Sequence, residues 1–297
     1  MKKPIFTGSA VAIVTPFSPD GSVNYRMLKE LIDFQIENKT DAIVVTGTTG
    51  ESSTLSPAEH SEVIKKTVEF VAHRVPVIAG TGSNDTQFAI EHSKEAKASG
   101  VDALLLVTPY YNKTSQRGLV AHYTAIAEAV DLPLIAYNVP SRTGVNIAPS
   151  TYQKLSEIPN LVAAKEANGN ISSVVETRHL CGDALHVYSG NDDQIVPLMA
   201  LGGLGVISVL ANVMPRETHE ICRLMLDGKT AEAAALQIKL SPLISALFSD
   251  VNPIPVKAAL CHMGFDVGLP RLPLYPMEEA KEAKLVAAMQ AAGLSVK

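Results

Sequence analysis

Short, near-continuous apolar runs alternate along this chain with longer segments whose apolar positions repeat at helical spacing. The runs cover residues 10–15, 41–46, 75–79, 103–108, 134–138, 162–166, 186–189 and 206–209, and most are built from valine, isoleucine, leucine and alanine. Strands covered on both faces read this way, whereas half-solvated strands alternate polar with apolar, so the pattern predicts eight parallel strands. Amphipathic segments fill the intervals. Residues 25–38 place Leu28, Leu31, Ile32 and Ile36 at helical spacing, and 57–72 open with Ser56 as N-cap, Pro57 at the first helical position and Glu59 to close a capping box. Segments 84–99, 116–130, 149–157 and 192–201 continue the rhythm. Repeated strand–helix units predict an α/β fold, a closed (β/α)8 TIM barrel.

Beyond the eighth strand the chain is predicted wholly helical, over 215–226, 230–248, 255–263 and 277–292. These helices exceed what barrel closure needs. No Gly/Ser-rich or charged linker sets them apart, so the expected organisation is a catalytic barrel over 1–227 and a C-terminal helical extension over 228–297 packed on it.

Composition narrows the class. The 297 residues are 46% hydrophobic, which suffices for a large core and excludes a disordered chain. A formal net charge of -5 and the lack of a Lys/Arg-rich block argue against nucleic acid as a partner. Met1-Lys2-Lys3-Pro4 is not followed by a long apolar stretch, and no run approaches membrane-spanning length, so neither a signal peptide nor a membrane partner is expected and the cytoplasm is the expected compartment. Cys181, Cys222 and Cys261 are odd in number, far apart and set in apolar contexts, which predicts buried reduced thiols.

Against this background Lys165 stands out, because it interrupts the apolar run of the sixth predicted strand. Burial penalises an ammonium and favours the neutral amine, a nucleophile able to form a Schiff base with a carbonyl. The competing reading is a lysine whose stem is buried while its head reaches water at the strand end. Barrel architecture favours the first, since barrel active sites lie at the C-terminal ends of the strands. Several polar groups are predicted at that same rim. The second strand ends in Gly47-Thr48-Thr49-Gly50-Glu51, a turn with hydroxyls and backbone amides suited to a carboxylate. The fourth ends in Pro109-Tyr110-Tyr111-Asn112, and the fifth in Tyr137-Asn138-Val139-Pro140 followed by Ser141-Arg142-Thr143-Gly144. An amine, phenols, hydroxyls and an arginine thus converge.

Other chemistries find little support. Gly80-Thr81-Gly82 lacks the third glycine of a dinucleotide fingerprint, and Gly228-Lys229-Thr230 has Arg223 where a phosphate loop needs its first glycine. The eight histidines form no His-Glu-x-x-His pattern, so no metal site is predicted, and His179 near Cys181 reads as a helix face. Ser189-Gly190-Asn191 lacks the glycine two positions back that a nucleophile elbow needs, Val187 standing there.

Taken together these motifs resemble the dihydrodipicolinate synthase family of pyruvate-dependent class I lyases, a superfamily that includes N-acetylneuraminate lyase. The resemblance runs through Gly47-Thr48-Thr49-Gly50-Glu51-Ser52, residues 107–112 and 137–144, Lys165-Glu166-Ala167, Gly205-Val206-Ile207-Ser208-Val209 and Asn252-Pro253-Ile254-Pro255-Val256-Lys257. Thr48-Thr49, Tyr110-Tyr111 and Arg142 point to the synthase rather than to sugar-acid lyases. The resemblance implies condensation of pyruvate with L-aspartate 4-semialdehyde on the route to diaminopimelate and lysine, without metal or organic cofactor. It assigns Lys165 as the Schiff-base lysine, and Tyr137, Thr48 and Tyr111 as a proton relay in which Tyr111 reaches in from a neighbouring subunit. It puts Thr48 and Thr49 on the pyruvate carboxylate, Arg142 on the semialdehyde carboxylate, and Gly190 and Ile207 in the pocket lining. A homo-oligomer, usually a dimer of dimers, is implied, although a dimer already suffices to donate Tyr111. The alternatives are a lyase for N-acetylneuraminate or a 2-keto-3-deoxy sugar acid, sharing Lys165 and Tyr137, and a noncatalytic barrel that binds a small acid or scaffolds an oligomer, which would have lost the lysine or the relay.

Lysine-inhibited members of the family bind lysine in a cleft between subunits, and Ser52, Ser53, His60, Asn84 and Tyr110 match its positions. Phe88 stands where a glutamate is expected to pair with the ligand's ammonium, and Pro57 where a histidine is expected. An unpaired buried ammonium costs more than a ring recovers, so weak or absent inhibition by lysine is expected. A shifted acid, Asp85, is the candidate compensation.

Overall fold

The computed structural model describes residues 2–297. Eight parallel strands, β1 (Gly8–Ala12), β2 (Ala42–Val45), β3 (Val77–Gly80), β4 (Ala103–Val107), β5 (Leu134–Asn138), β6 (Leu161–Glu166), β7 (His186–Ser189) and β8 (Gly205–Ser208), pair in chain order and close into a barrel. The seam is β1 against β8, in register Gly8↔Gly205 through Val11↔Ser208. Gly205 has φ +149, and a Cβ there would lie 1.8 Å from the Gly8 carbonyl oxygen, so this close approach admits only glycine.

Around the barrel run α1 (Tyr25–Glu37), α2 (Pro57–Val71), α3 (Thr86–Ala98), α4 (Gln116–Ala129), the one-turn α5 (Pro140–Thr143), α6 (Pro149–Ser156), α7 (Ile171–Cys181), α8 (Ile195–Ala200) and α9 (Pro215–Leu226). Three more helices follow, α10 (Thr230–Leu247), α11 (Ile254–Met263) and α12 (Glu279–Ala291). α10 packs against α8, α9 and α12, and α11 against α12. The capping box at Ser56 and Glu59 forms as expected. No helix among the described residues is long and apolar enough to cross a membrane.

The differences from the expected boundaries have local causes. β3 begins at Val77 because Pro76 has no amide to donate, although its carbonyl still accepts from Ile43 N at 2.9 Å. α3 begins at Thr86 because the Asp85 carboxylate turns back to cap Phe88 N at 2.9 Å. The segment predicted from 192 splits into a 3-10 turn (Asp192–Gln194) and α8, with the Asp192 side chain buried and accepting from Ser208 Oγ. Neither α5 nor α7 was predicted as an element; α7 buries only Val174, Thr177 and Cys181, too sparse a stripe to announce itself. Cys181 and Cys222 are buried, but Cys261 is exposed on α11, correcting the expectation of three buried thiols.

Side chains alternate across the strands, apart from a register irregularity at Val162 in β6, and this alternation decides which ones face the barrel interior. Ala10, Ala12, Val44, Ile78, Leu105, Ile135, Ala163 and Ile207 fill the inside, while Val11, Ile43, Val45, Leu104, Leu106, Ala136 and Ala164 pack outward on the helices. In β6 the parity of Ala163 carries to Lys165 and that of Ala164 to Glu166, so the lysine points in and the acid points out. The N-terminal end is plugged by the Phe6 ring stacked on Tyr188, centroids 4.3 Å apart, with Tyr188 Oη donating to the Phe6 carbonyl at 2.7 Å. The opposite, C-terminal mouth is where polar side chains gather.

Candidate active site

Lys165 and Tyr137 are register partners on β6 and β5, both buried, with Nζ 4.3 Å from the ring centroid. Lys165 forms no ion pair among the described residues. Burial is the main influence on it and lowers its pKa to about 8; the carboxylate of Asp192 opposes that shift and the Arg142 guanidinium reinforces it. At pH 7 about a tenth of such amines are neutral, against roughly one in three thousand for an ordinary lysine. The Tyr137 phenol is pushed up by burial, while the nearby Arg142 and Thr48 side chains favour its ionised form.

Thr48 and Thr49 sit on a turn under backbone strain. Thr46 and Glu51 on either side of it hold left-handed φ values of 51° and 54°, although neither is glycine. Two devices hold this geometry. Gly80 packs so close that a Cβ on it would lie 2.4 Å from the Thr46 carbonyl oxygen. Lys257 of α11 donates to Glu51 Oε1 at 2.8 Å, both side chains being 1% exposed, and Arg271 N donates to Glu51 Oε2 at 2.9 Å. Thr15 Oγ1 adds a bond to the Gly50 carbonyl at 2.7 Å. The amides of Thr48 and Thr49 donate to no carbonyl among the described residues, which leaves two donors for an anion. The Thr49 hydroxyl accepts from Asn252 Nδ2 at 2.9 Å, so this residue serves the turn's shape with its side chain.

Arg142, at the end of α5, donates Nη2 to the Asn252 carbonyl at 3.2 Å and keeps its remaining donors open to a cavity of about 270 Å³. Thr48, Val107, Val139 and Thr143 line the same cavity, which extends to Ser52, Ser53, His60 and Tyr110. Gly190 follows β7, and a Cβ there would meet Lys165 Cε at 3.2 Å and the Ala167 side chain at 2.7 Å. Ile207 lies inside the barrel on β8, 1% exposed. Tyr111 is the exception among the predicted site residues: it holds φ 70° and is 91% exposed, turned to solvent instead of packing in its own chain's mouth.

Of the residues matched to the lysine cleft, Ser52, Ser53, His60 and Tyr110 line the cavity, whereas Asn84 contributes its carbonyl to Asn112 Nδ2 at 2.9 Å. Phe88 is half-exposed with its ring edge toward His92, centroids 6.2 Å apart. His92, which the sequence did not single out, stacks on His60 at 4.8 Å. Burial, and secondarily His92, lowers the His60 pKa to about 4, so this pair offers no carboxylate-like acceptor for an ammonium. Asp85 is occupied in capping α3.

Three functional side chains escaped the sequence reading. Lys257 carried a signal, since a lysine in the apolar run Ile254-Pro255-Val256-Lys257-Ala258-Ala259-Leu260 is as anomalous as Lys165 in its strand. Glu166 anchors the outside of the same strand ends: Asn138 Nδ2 donates to both its oxygens at 3.1 Å, Tyr152 Oη at 2.9 Å and Asn168 N at 2.8 Å. Asp192, 2% exposed, had no sequence signal beyond starting a helix. Among the described residues no group of three or more His, Cys, Asp or Glu side chains is gathered as a metal site would require.

A barrel with a pKa-lowered lysine at the mouth of its sixth strand, beside a phenol and a carboxylate-binding turn, has the architecture of the Schiff-base class of lyases. The chain belongs to the dihydrodipicolinate synthetase family, whose model matches residues 5–292. It is 57% identical over 291 residues to the 4-hydroxy-tetrahydrodipicolinate synthase of Lachnoclostridium phytofermentans, covering 98% of this chain and 99% of that one. Among solved structures it is similar to dihydrodipicolinate synthase from Aquifex aeolicus, at TM-score 0.96 and 45% identity over 98% of this chain and all of the other. The chloride-inhibited enzyme of Acinetobacter baumannii complexed with pyruvate superposes at TM-score 0.95 with 47% identity, covering 97% and 99% of the two chains.

Proposed function

We propose that the protein condenses pyruvate with L-aspartate 4-semialdehyde through a Schiff base on Lys165, giving 4-hydroxy-tetrahydrodipicolinate on the route to diaminopimelate and lysine. The observation that carries this reading is the unpaired, pKa-lowered Lys165 amine set against Tyr137 in the mouth. The pyruvate carboxylate docks on the free amides of Thr48 and Thr49. Neutral Nζ attacks the ketone carbon, and the ketone oxygen leaves as water after protons arrive through Tyr137 and Thr48. The resulting iminium withdraws electrons, the methyl group loses a proton, and the enamine carbon attacks the aldehyde. Arg142 orients the semialdehyde by its carboxylate, where a guanidinium fork gives direction as well as charge. The substrate's amine then attacks the imine carbon, closing the ring and releasing Lys165. Gly190 and Ile207 shape the pocket around these steps.

Tyr111 completes the relay of a second subunit, which accounts for a large phenol held exposed by a left-handed backbone; the active form is therefore an oligomer, a dimer of dimers in the fullest reading. A fully active monomer is incompatible with this role. The barrel over 1–227 carries the chemistry, and the 228–297 extension braces it through Lys257. The cytoplasm, where thiols stay reduced, is the compartment assigned.

Turnover of pyruvate with aspartate semialdehyde, compared with N-acetylmannosamine and 2-keto-3-deoxy sugar aldehyde partners, tests the assignment. A large preference for the semialdehyde is expected, and efficient turnover of a sugar aldehyde alone would overturn it. For regulation, initial rates across an L-lysine titration should change little up to millimolar concentrations, because Phe88 and the neutral His60 supply no counter-charge for the ammonium. Strong inhibition at submillimolar lysine would refute this.

A further inference from the structure

The segment that opens α11 belongs to the C-terminal extension, yet it bonds to both places where the proposed substrates leave their carboxylates. Lys257 holds the end of the Thr48-Thr49 turn through Glu51 Oε1 at 2.8 Å. Asn252, just ahead of α11, does more. Its Nδ2 donates to Thr49 Oγ1 at 2.9 Å, and its backbone carbonyl accepts from Arg142 Nη2 at 3.2 Å. One residue therefore stands between the amides assigned to pyruvate and the guanidinium assigned to the semialdehyde. Thr49 comes from the loop after β2 and Arg142 from α5 after β5, so Asn252 joins two elements from separate parts of the rim.

Asn252 is itself held from both directions along the chain. Asp250 Oδ2 accepts from Lys281 Nζ of α12 at 2.8 Å, which ties down the loop between α10 and α11. On the other side Lys257 N donates to the Pro253 carbonyl at 3.0 Å as α11 begins. Asn252 is 7% exposed and Thr49 3%. The Asn252 Oδ1 is buried and meets no donor among the described residues, so the amide stands here although an acceptor is left stranded. A residue needed only to seat α11 could be apolar and avoid that penalty. The bond that the amide does make is the one to Thr49.

We infer that Asn252 is a positioning residue for the condensation: it fixes the Thr48-Thr49 turn and Arg142 relative to each other, and so sets the spacing at which the two substrate carboxylates are held. This inference rests on the Schiff-base reading above, which supplies both substrates. The spacing matters because the enamine carbon and the aldehyde carbon must meet while each substrate is held by its own carboxylate, and a small misplacement of reactants lowers the rate steeply. Tying both anchors to one residue makes them move together. The bond to Thr49 is made by the side chain and is deleted by substitution, whereas the bond from Arg142 goes to the backbone and survives it, so the two ends of the bridge can be tested separately.

The test is the pyruvate concentration that half-saturates borohydride trapping on Lys165, a readout that needs no second substrate. In Asn252→Ala this concentration should rise roughly tenfold, the effect of losing about one hydrogen bond, while the trapping rate at saturation stays near that of the unmodified protein because Lys165 and Tyr137 are untouched. Thr49→Val deletes the same bond from the other side, should raise it as much and should add little on top of Asn252→Ala; it serves if Asn252→Ala does not fold. Arg142→Met releases the opposite end of the bridge. It should raise the half-saturating pyruvate concentration about two- to threefold, the lower end of coupling between contacting residues, although Arg142 is assigned to the other substrate, and this cross-effect should vanish in the Asn252→Ala background. A folded Asn252→Ala that half-saturates at the unmodified pyruvate concentration would overturn the inference, as would a loss of thermal stability alone or a cross-effect that persists undiminished without the Asn252 side chain. Absence of any trapped adduct on Lys165 in the unmodified protein would instead defeat the Schiff-base reading on which it depends.

Discussion

Lys165→Ala is expected to reduce turnover by at least about three orders of magnitude while leaving the barrel folded, because it deletes the nucleophile and nothing else of comparable chemistry lies in the mouth. Removing Lys165 strands no partner, since it forms no ion pair among the described residues and Asp192 keeps its three hydrogen-bond donors. Lys165→Arg should not restore activity, as a guanidinium stays protonated and cannot attack a ketone. Intact-protein mass spectrometry after pyruvate and borohydride treatment should show one adduct in the unmodified chain and none in either variant. An adduct that persists in Lys165→Ala would sink the assignment.

The second large effect is expected at the other buried lysine. Lys257→Met leaves Glu51 charged, 2% exposed and short of its cation, an arrangement that typically costs about 3–5 kcal/mol. Thermal unfolding should drop by roughly 10 °C, and pyruvate affinity should weaken because the strained turn from Thr46 to Glu51 loses its anchor. Pairing it with Glu51→Gln should recover part of the stability, since the orphaned charge is then gone. Differential scanning calorimetry decides the point: a Lys257→Met variant melting within a degree or two of the unmodified protein would show the pair to be dispensable.

The barrel was legible because its signals are local. Eight buried runs and the helices between them can be read from periodicity alone, and the site followed from knowing which strand ends face the mouth. What stayed hidden depended on pairing between distant elements. A buried lysine looks the same in sequence whether it bonds a carboxylate 206 positions away, as Lys257 bonds Glu51, or forms no ion pair among the described residues, as with Lys165, and only the first is tied down as structure. Asp192 begins a short turn like any acidic N-terminal residue, and its burial appears only once Ser208 and the amides after β8 are brought beside it. Tyr111 was assigned by resemblance to another subunit, and no local pattern could have said where a phenol 91% exposed in its own chain would go. α7 was missed because its buried stripe is thin, and Cys261 because apolar sequence neighbours do not guarantee a buried position.

The alternation within β6 makes its last two residues a two-position switch read by parity. Lys165 and Glu166 differ by one step along the chain and therefore by the whole thickness of the barrel wall. A single-residue insertion or deletion between the irregularity at Val162 and Lys165 would exchange them, presenting an acid to the mouth and burying an amine among Asn138 and Tyr152. The loops above the mouth can lengthen, shorten and change composition while the catalytic pair stays intact, but the count of residues from Ala163 to Glu166 cannot drift.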